Sequence, residues 1–243
     1  MWEFCLQLEN QHQCDMFFSE LQQQLKNYKG VITRLENSIL FAYTQSQVKH
    51  IIKTHIVKYI IFDYKKKYFS EKLKNVDLSE VKKQALIKVL SLFDNNFDAL
   101  FITAELVIKD KLILESFIRF SLKDLLSKWD EIVALILNNS FYLFCSGTYN
   151  ELLKFLLNTL DTKWAEVNIV IKDNELTVFD KTFKQCLIKN SDNVVILTEL
   201  IGFSPQVINI YCNEIVDSPV FNSILDIFQE RVKIKPLTNI KKC

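Results

Sequence analysis

Glycine and proline are scarce in this chain, at three residues each among 243. That leaves few of the breakers on which tightly turned all-β folds depend, and it favours long uninterrupted helices. The glycines stand alone at positions 30, 147 and 202, so neither a phosphate-cradling P-loop nor a G-x-G-x-x-G dinucleotide turn can be written. A G-x-S-x-G nucleophile elbow is missing as well. Histidine is equally rare, with three in the chain. His50 and His55 are five apart, about 140° on a helical wheel, and do not converge on one ion as i, i+4 ligands do. His55 falls inside an apolar arc and reads as a hydrogen-bonded core residue. His12 and Cys14 share a turn without the further ligands that a metal site needs.

The six cysteines, at 5, 14, 145, 186, 212 and 243, form no C-x-x-C pair and none of the short spacings of a zinc site or disulfide framework. They read as reduced, mostly buried thiols of a cytosolic protein. Cys145, beside Phe144, lacks the positive surroundings that activate a thiolate. Asp130 and Glu131 are adjacent, diverge on a helix, and read as a solvated face rather than an acid and base pair. The sequence therefore offers no catalytic constellation, cofactor motif or metal site, and a non-enzymatic protein is expected.

A long apolar run is absent too. The best window, Ile132 to Phe144, has thirteen residues with two Asn, against the ~20 that a membrane span requires. It reads as a buried helix. The opening MWEFCLQLENQHQ has no basic start followed by an apolar core, so no secretory signal is expected. The closing KKC is not a prenylation box, because Cys243 is the last residue. A cytoplasmic location is the expectation.

Apolar side chains are abundant. Hydrophobic residues make up 49% of the chain and aromatics 12%, nineteen of them Phe, against 24% charged, a balance that excludes disorder. A chain of this length buries roughly 70% of its unfolded surface, enough for a substantial core. The pattern predicts an α+β protein: a central helical bundle of about five helices flanked by two mixed segments. Residues 1–45 read as β-α-β-β. WEFCLQL alternates, CDMFFSELQQQLKN places Phe17, Leu21 and Leu25 at helical spacing, and VITRLENSILFAYT holds two strands around a Glu36-Asn37-Ser38 turn.

Residues 46–163 read as helical. Val48, Ile51, Ile52, Ile56, Tyr59 and Phe62 share one arc, with Val57, Ile60 and Ile61 spilling around it, so the middle of this helix is expected to be buried on more than one side. In DLSEVKKQALIKVLSLF, Asp77 is placed to cap and Glu80 to sit at the third helical position, with Val81, Ala85, Val89 and Phe93 in a stripe. Gly147 suits a helix end, and Thr148 with Glu151 forms a capping box for the next helix. Residues 164–243 read as ββαβαβ, with a hairpin at Asp173-Asn174 and a helix opened by Ser218-Pro219. These three stretches are separate units or parts of one compact domain, and their strands form one sheet or two.

The net charge of +1 conceals a local excess. Between Lys49 and Lys74 eight Lys face only Asp63 and Glu71, a balance of +6 that leaves −5 for the remainder. Within it, YIIFDYKKKYFSEKLK interleaves lysines with aromatics. Lys58, Lys65, Lys66, Lys67, Lys72 and Lys74 are the candidate polyanion-binding residues, and Tyr64, Tyr68 and Phe69 could stack bases. The consecutive Lys65, Lys66 and Lys67 span about 200° of a helix, too wide for a groove-reading stripe, although Lys58 and Lys65 point nearly the same way. Lysines near a helix C-terminus also complement its dipole and cover apolar surface with their stems. A solvated helix exterior is the favoured reading, with nucleic acid or acidic lipid as the alternative partner.

Four segments in order, VKHIIKTHIVKYIIFDYKK, FIRFSLKDLLSKWDEIV, TYNELLKFLLNTLDTKWAEVNIVIKDNELTVFD and VFNSILDIFQERVKI, resemble the sporulation protein YtxC family of endospore-forming Firmicutes. The chain departs from that pattern at Ser121 and Leu125, where a basic residue and an aromatic are expected. Its Lys-, Asn- and Phe-rich composition is consistent with an AT-rich genome. The resemblance implies a cytoplasmic protein linked to spore formation, in a family without an established enzymatic activity. It supplies no functional residues. Three functions stay open: a non-catalytic protein acting through contacts with another protein, a nucleic-acid-binding protein using the basic helix, and an enzyme of unrecognised type.

Overall fold

A computed structural model describes residues 1–138, 146–172, 175–184, 186–189, 192–213 and 219–239. It shows an α+β protein. In chain order the first elements are β1 (Trp2–Gln7), α1 (Gln11–Leu25), β2 (Gly30–Leu35), β3 (Ser38–Tyr43) and α2 (Gln47–Tyr59). A π turn (Ile60–Tyr64) leads into α3 (Lys65–Leu73), followed by α4 (Glu80–Leu92), α5 (Asn95–Glu105), β4 (Lys111–Ile113) and the single turn α6 (Leu114–Ser116). A second π turn (Phe117–Ser121) precedes α7 (Lys123–Asn138) and α8 (Ser146–Thr159). The last third comprises β5 (Trp164–Lys172), β6 (Glu175–Asp180), β7 (Cys186–Lys189), α9 (Asn193–Phe203), β8 (Pro205–Tyr211), α10 (Pro219–Phe228) and β9 (Val232–Lys235). The chain divides into two compact units, each assembled from two stretches: Met1–Lys65 with Asp94–Ala134, and Lys66–Phe93 with Leu135–Cys243. The helices between residues 46 and 163 are shared between the two.

In the first unit the strands lie in the order β2-β3-β1-β4. β3 runs antiparallel between β1 and β2, which makes β1-α1-β2 a split β-α-β unit. Alternation sends Phe4, Leu6, Ile39, Phe41 and Tyr43 to one face, where α1 presents the buried Cys14, Phe17, Leu21 and Leu25. The Asn10 side chain starts α1 by accepting the Gln13 N–H at 2.9 Å. Gly30 is required sterically: a Cβ there would strike the Tyr43 ring and the Ala42 carbonyl. The β2–β3 turn falls where expected, with Glu36 at φ 52°. β4 adds a parallel edge on β1, pairing Lys111–Ile113 with Cys5–Gln7.

The second unit has a separate sheet in the order β7-β6-β5-β8-β9, with β6 antiparallel to β5 and β7, and β8 parallel to both β5 and β9. The expected ββαβαβ order holds with one strand added, β7. Asp192 caps α9 by accepting the Val194 N–H at 2.8 Å. The helix then buries Ile196, Leu197, Leu200 and Ile201 and packs against α4.

Several helix boundaries differ from the sequence reading. α4 begins at Glu80 after Ser79, so Asp77 is not its cap; the Leu78 N–H is instead held by the Val76 carbonyl at 2.9 Å. α8 begins at Ser146, which places Gly147 and Thr148 inside its first turn rather than at a boundary. Asp173-Asn174, Ser218, the 139–144 end of the apolar window, Cys145 and Cys243 lie outside the described residues. Among the described residues, no helix is long and apolar enough to cross a membrane.

Candidate interaction groove

The basic segment does not form a single exposed face, because a π turn interrupts its helix. The Lys65 N–H donates to the Ile60 carbonyl five residues back. One residue inserted into a helix of 3.6 residues per turn advances every later side chain by about 100°. Lys65, expected on the wet side with Lys58, is thereby turned into the core of the first unit and is 1% exposed. Its Nζ lies 2.6 Å from Asp98 Oδ2 and 2.8 Å from Asn95 Oδ1. Trp129 Nε1 donates to the same Asp98 oxygen at 3.2 Å, and Lys128 Nζ stands 3.5 Å from the other. Burial pushes the Lys65 ammonium down from its ordinary pKa, and the Asp98 carboxylate opposes that shift.

Lys65 therefore leaves the set of candidate polyanion contacts. Lys58 is exposed on the first unit; Lys66, Lys67, Lys72 and Lys74 are exposed on the second. Lys72 Nζ sits 5.2 Å above the Tyr68 ring, and Lys74 is 3.7 Å from Glu71. Phe69, a candidate stacking residue, is fully buried, while Tyr64 and Tyr68 are half-buried.

The same π turn brings Phe62 to the surface, half exposed, although the helical wheel placed it with the buried arc. There it borders a groove of about 280 Å³ between α2 and α5. Val57, Ile61 and Phe62 form one wall, and Asn95, Asn96, Ala99 and Thr103 form the other. His50, Lys53 and Lys58 stand on the α2 side, and among the described residues no Asp or Glu lines the groove. Also on α5, outside the groove lining, Leu100 is 72% and Phe97 50% exposed. Asn95 belongs both to the groove wall and to the Lys65 network, so the buried ion pair holds the start of α5 to the start of α3. The groove is not legible as a stripe, but one signal exists: in NNFDALFITAE the charged Asp98 takes the buried position beside Ile102, leaving Phe97 and Leu100 outward.

A smaller recess of about 190 Å³ lies between α1 and α2. His55, as expected, is a core residue: its ring meets Phe17 edge-on at 4.8 Å, and its Nε2 is 3.5 Å from Glu20 Oε2. Burial lowers its pKa and the Glu20 carboxylate works against that. Tyr59 accepts a hydrogen bond from Gln13 Nε2, and burial pushes its phenol up to about 12, so it stays protonated near neutrality. In the second unit Asn209 Nδ2 donates to Glu166 and to Asn168 Oδ1, joining the central parallel strands β5 and β8. Among the described residues, no three His, Cys, Asp or Glu side chains gather where they could hold a metal ion.

Compared with protein-family models, curated proteins and solved structures, the chain matches none.

Proposed function

We propose that this chain is a non-catalytic, cytoplasmic protein linked to spore formation, acting by contact with another protein received in the α2–α5 groove. The link to spore formation rests on the resemblance of its ordered segments to the YtxC family. The contact reading rests on one observation: an open apolar groove bordered by the half-exposed Phe62, with Lys53 and Lys58 on one side. Monomer surfaces rarely leave large apolar side chains clustered unless something covers them.

The test is capture from spore-forming cells with tagged wild type and with the Phe62→Asp/Leu100→Asp variant, each with and without nuclease. Phe62 is half exposed and Leu100 largely so, and folding is expected to survive both substitutions. A partner held by wild type, resistant to nuclease and lost from the variant is the expected result. A partner released by nuclease would point instead to Lys66, Lys67, Lys72 and Lys74 as a nucleic-acid surface. Turnover by the purified protein, abolished by one substitution in a cavity, would overturn the non-catalytic reading.

A further inference from the structure

We infer that the α2–α5 groove takes an acidic amphipathic helix of about three turns, with its carboxylates confined to the flank that faces α2. This rests on the reading of the groove as a contact surface and adds what the contact recognises. The length follows from α5, whose 11 residues at a rise of about 1.5 Å give a wall about 16 Å long. A helix fits because both walls are helices and the floor is small. Thr54, Ala99 and Thr103 leave room for an incoming backbone, while Val57, Ile61 and Phe62 offer apolar surface to residues repeating at i, i+3/i+4 and i+7.

Charge sets the orientation. Lys53 and Lys58 both stand on α2, whereas α5 lines the groove with only the uncharged Asn95, Asn96, Ala99 and Thr103. A partner with carboxylates on one flank satisfies the first wall; carboxylates on the other flank would meet amides and a methyl group and lose water without gaining an ion pair. A nucleic-acid backbone matches this surface poorly, because it offers no apolar stripe to the floor between the walls and would meet cations on one side alone.

The experiment uses the full chain and three labelled 14-residue peptides with the same Leu stripe. One carries Glu on one flank, one carries Glu on the opposite flank, and one carries Lys in place of Glu. Binding is read by fluorescence anisotropy. The peptide with Glu toward α2 is expected to bind at least about tenfold more tightly than either of the others, and to weaken as salt rises. Lys53→Glu/Lys58→Glu is expected to reverse the preference toward the Lys peptide. Ala99→Trp is expected to abolish binding of all three by filling the groove from the α5 wall. Thermal melting of each variant establishes that it is folded before it is scored.

Equal binding of the three peptides, or displacement of the acidic peptide by duplex DNA or by anionic lipid vesicles but not by unlabelled peptide, would overturn the inference. The outcomes separate the two claims. If Phe62→Asp/Leu100→Asp loses its cellular partner while no acidic peptide binds, the groove remains a contact surface and the partner chemistry is wrong. If that variant retains its partner, the contact reading itself falls.

Discussion

Lys65 and Asp98 form an ion pair 2.6 Å long with 2% and 1% of their side chains exposed, in a segment whose other lysines are solvated. Removing two charges from water costs several kcal/mol each, and such a pair persists only when its geometry and extra hydrogen bonds compensate. Asn95 and Trp129 supply those bonds.

Lys65→Met is therefore expected to destabilise the protein by about 3–5 kcal/mol, because Asp98 is left charged and buried. Lys65→Met/Asp98→Leu should recover a large part of that loss, and Lys66→Met should stay within about 0.5 kcal/mol of wild type. Urea denaturation of the four proteins checks the series. Equal effects at positions 65 and 66 would contradict the inward turn of Lys65.

Stability should also depend on pH through His55. Its folded pKa is lowered from 6.5 mainly by burial, with Glu20 and Asp63 raising it and Lys58 lowering it further. The unfolded chain thus binds the proton more readily, so the His55 contribution is complete above about pH 6.5 and is lost as pH falls toward the folded value. Denaturation midpoints between about pH 8 and about pH 5 should fall less steeply in His55→Leu than in wild type.

Gly30→Ala should destabilise by about 1–3 kcal/mol, since the new methyl has to displace the Tyr43 ring or the β3 backbone. The loss should appear as a lower melting temperature. Gly202 provides the contrast: a Cβ there would meet only the flexible end of Lys88, at 3.0 Å, and Gly202→Ala should cost less.

Tyr149→Phe removes the hydroxyl that donates to the Lys82 carbonyl at 2.6 Å, a bond that ties α8 to α4. A cost of about 1–3 kcal/mol is expected, because the carbonyl is left without that donor. Faster amide exchange along α4 is expected to accompany it, measured by hydrogen exchange mass spectrometry.

Elements whose pattern is local were readable from sequence. α1 shows its buried stripe from Cys14 to Leu25, and β1 and β3 show their alternation. Two strands were not foreseen. β4 has three residues and β7 four, too few for a period to emerge, and each exists only because a neighbouring strand offers an edge. The basic helix was read with the wrong phase because a wheel assumes 3.6 residues throughout, and IIFDY carries the inserted residue without a glycine or proline to announce it. The groove was hidden for the same reason, since the exposure of Phe62 follows from that turn and the exposure of Leu100 from the pairing of Asp98 with a residue far away in sequence.

The interleaved connectivity of the two units has a consequence for synthesis. The first unit is complete as soon as Ala134 has left the ribosome, but residues 66–93 emerge earlier and belong to the second. α4 packs against two helices of the second unit, and the later of them, residues 193–203, is made roughly a hundred codons after α4 itself. During that interval the nascent chain carries an uncovered greasy helix behind a finished fold, a natural client for a holding chaperone.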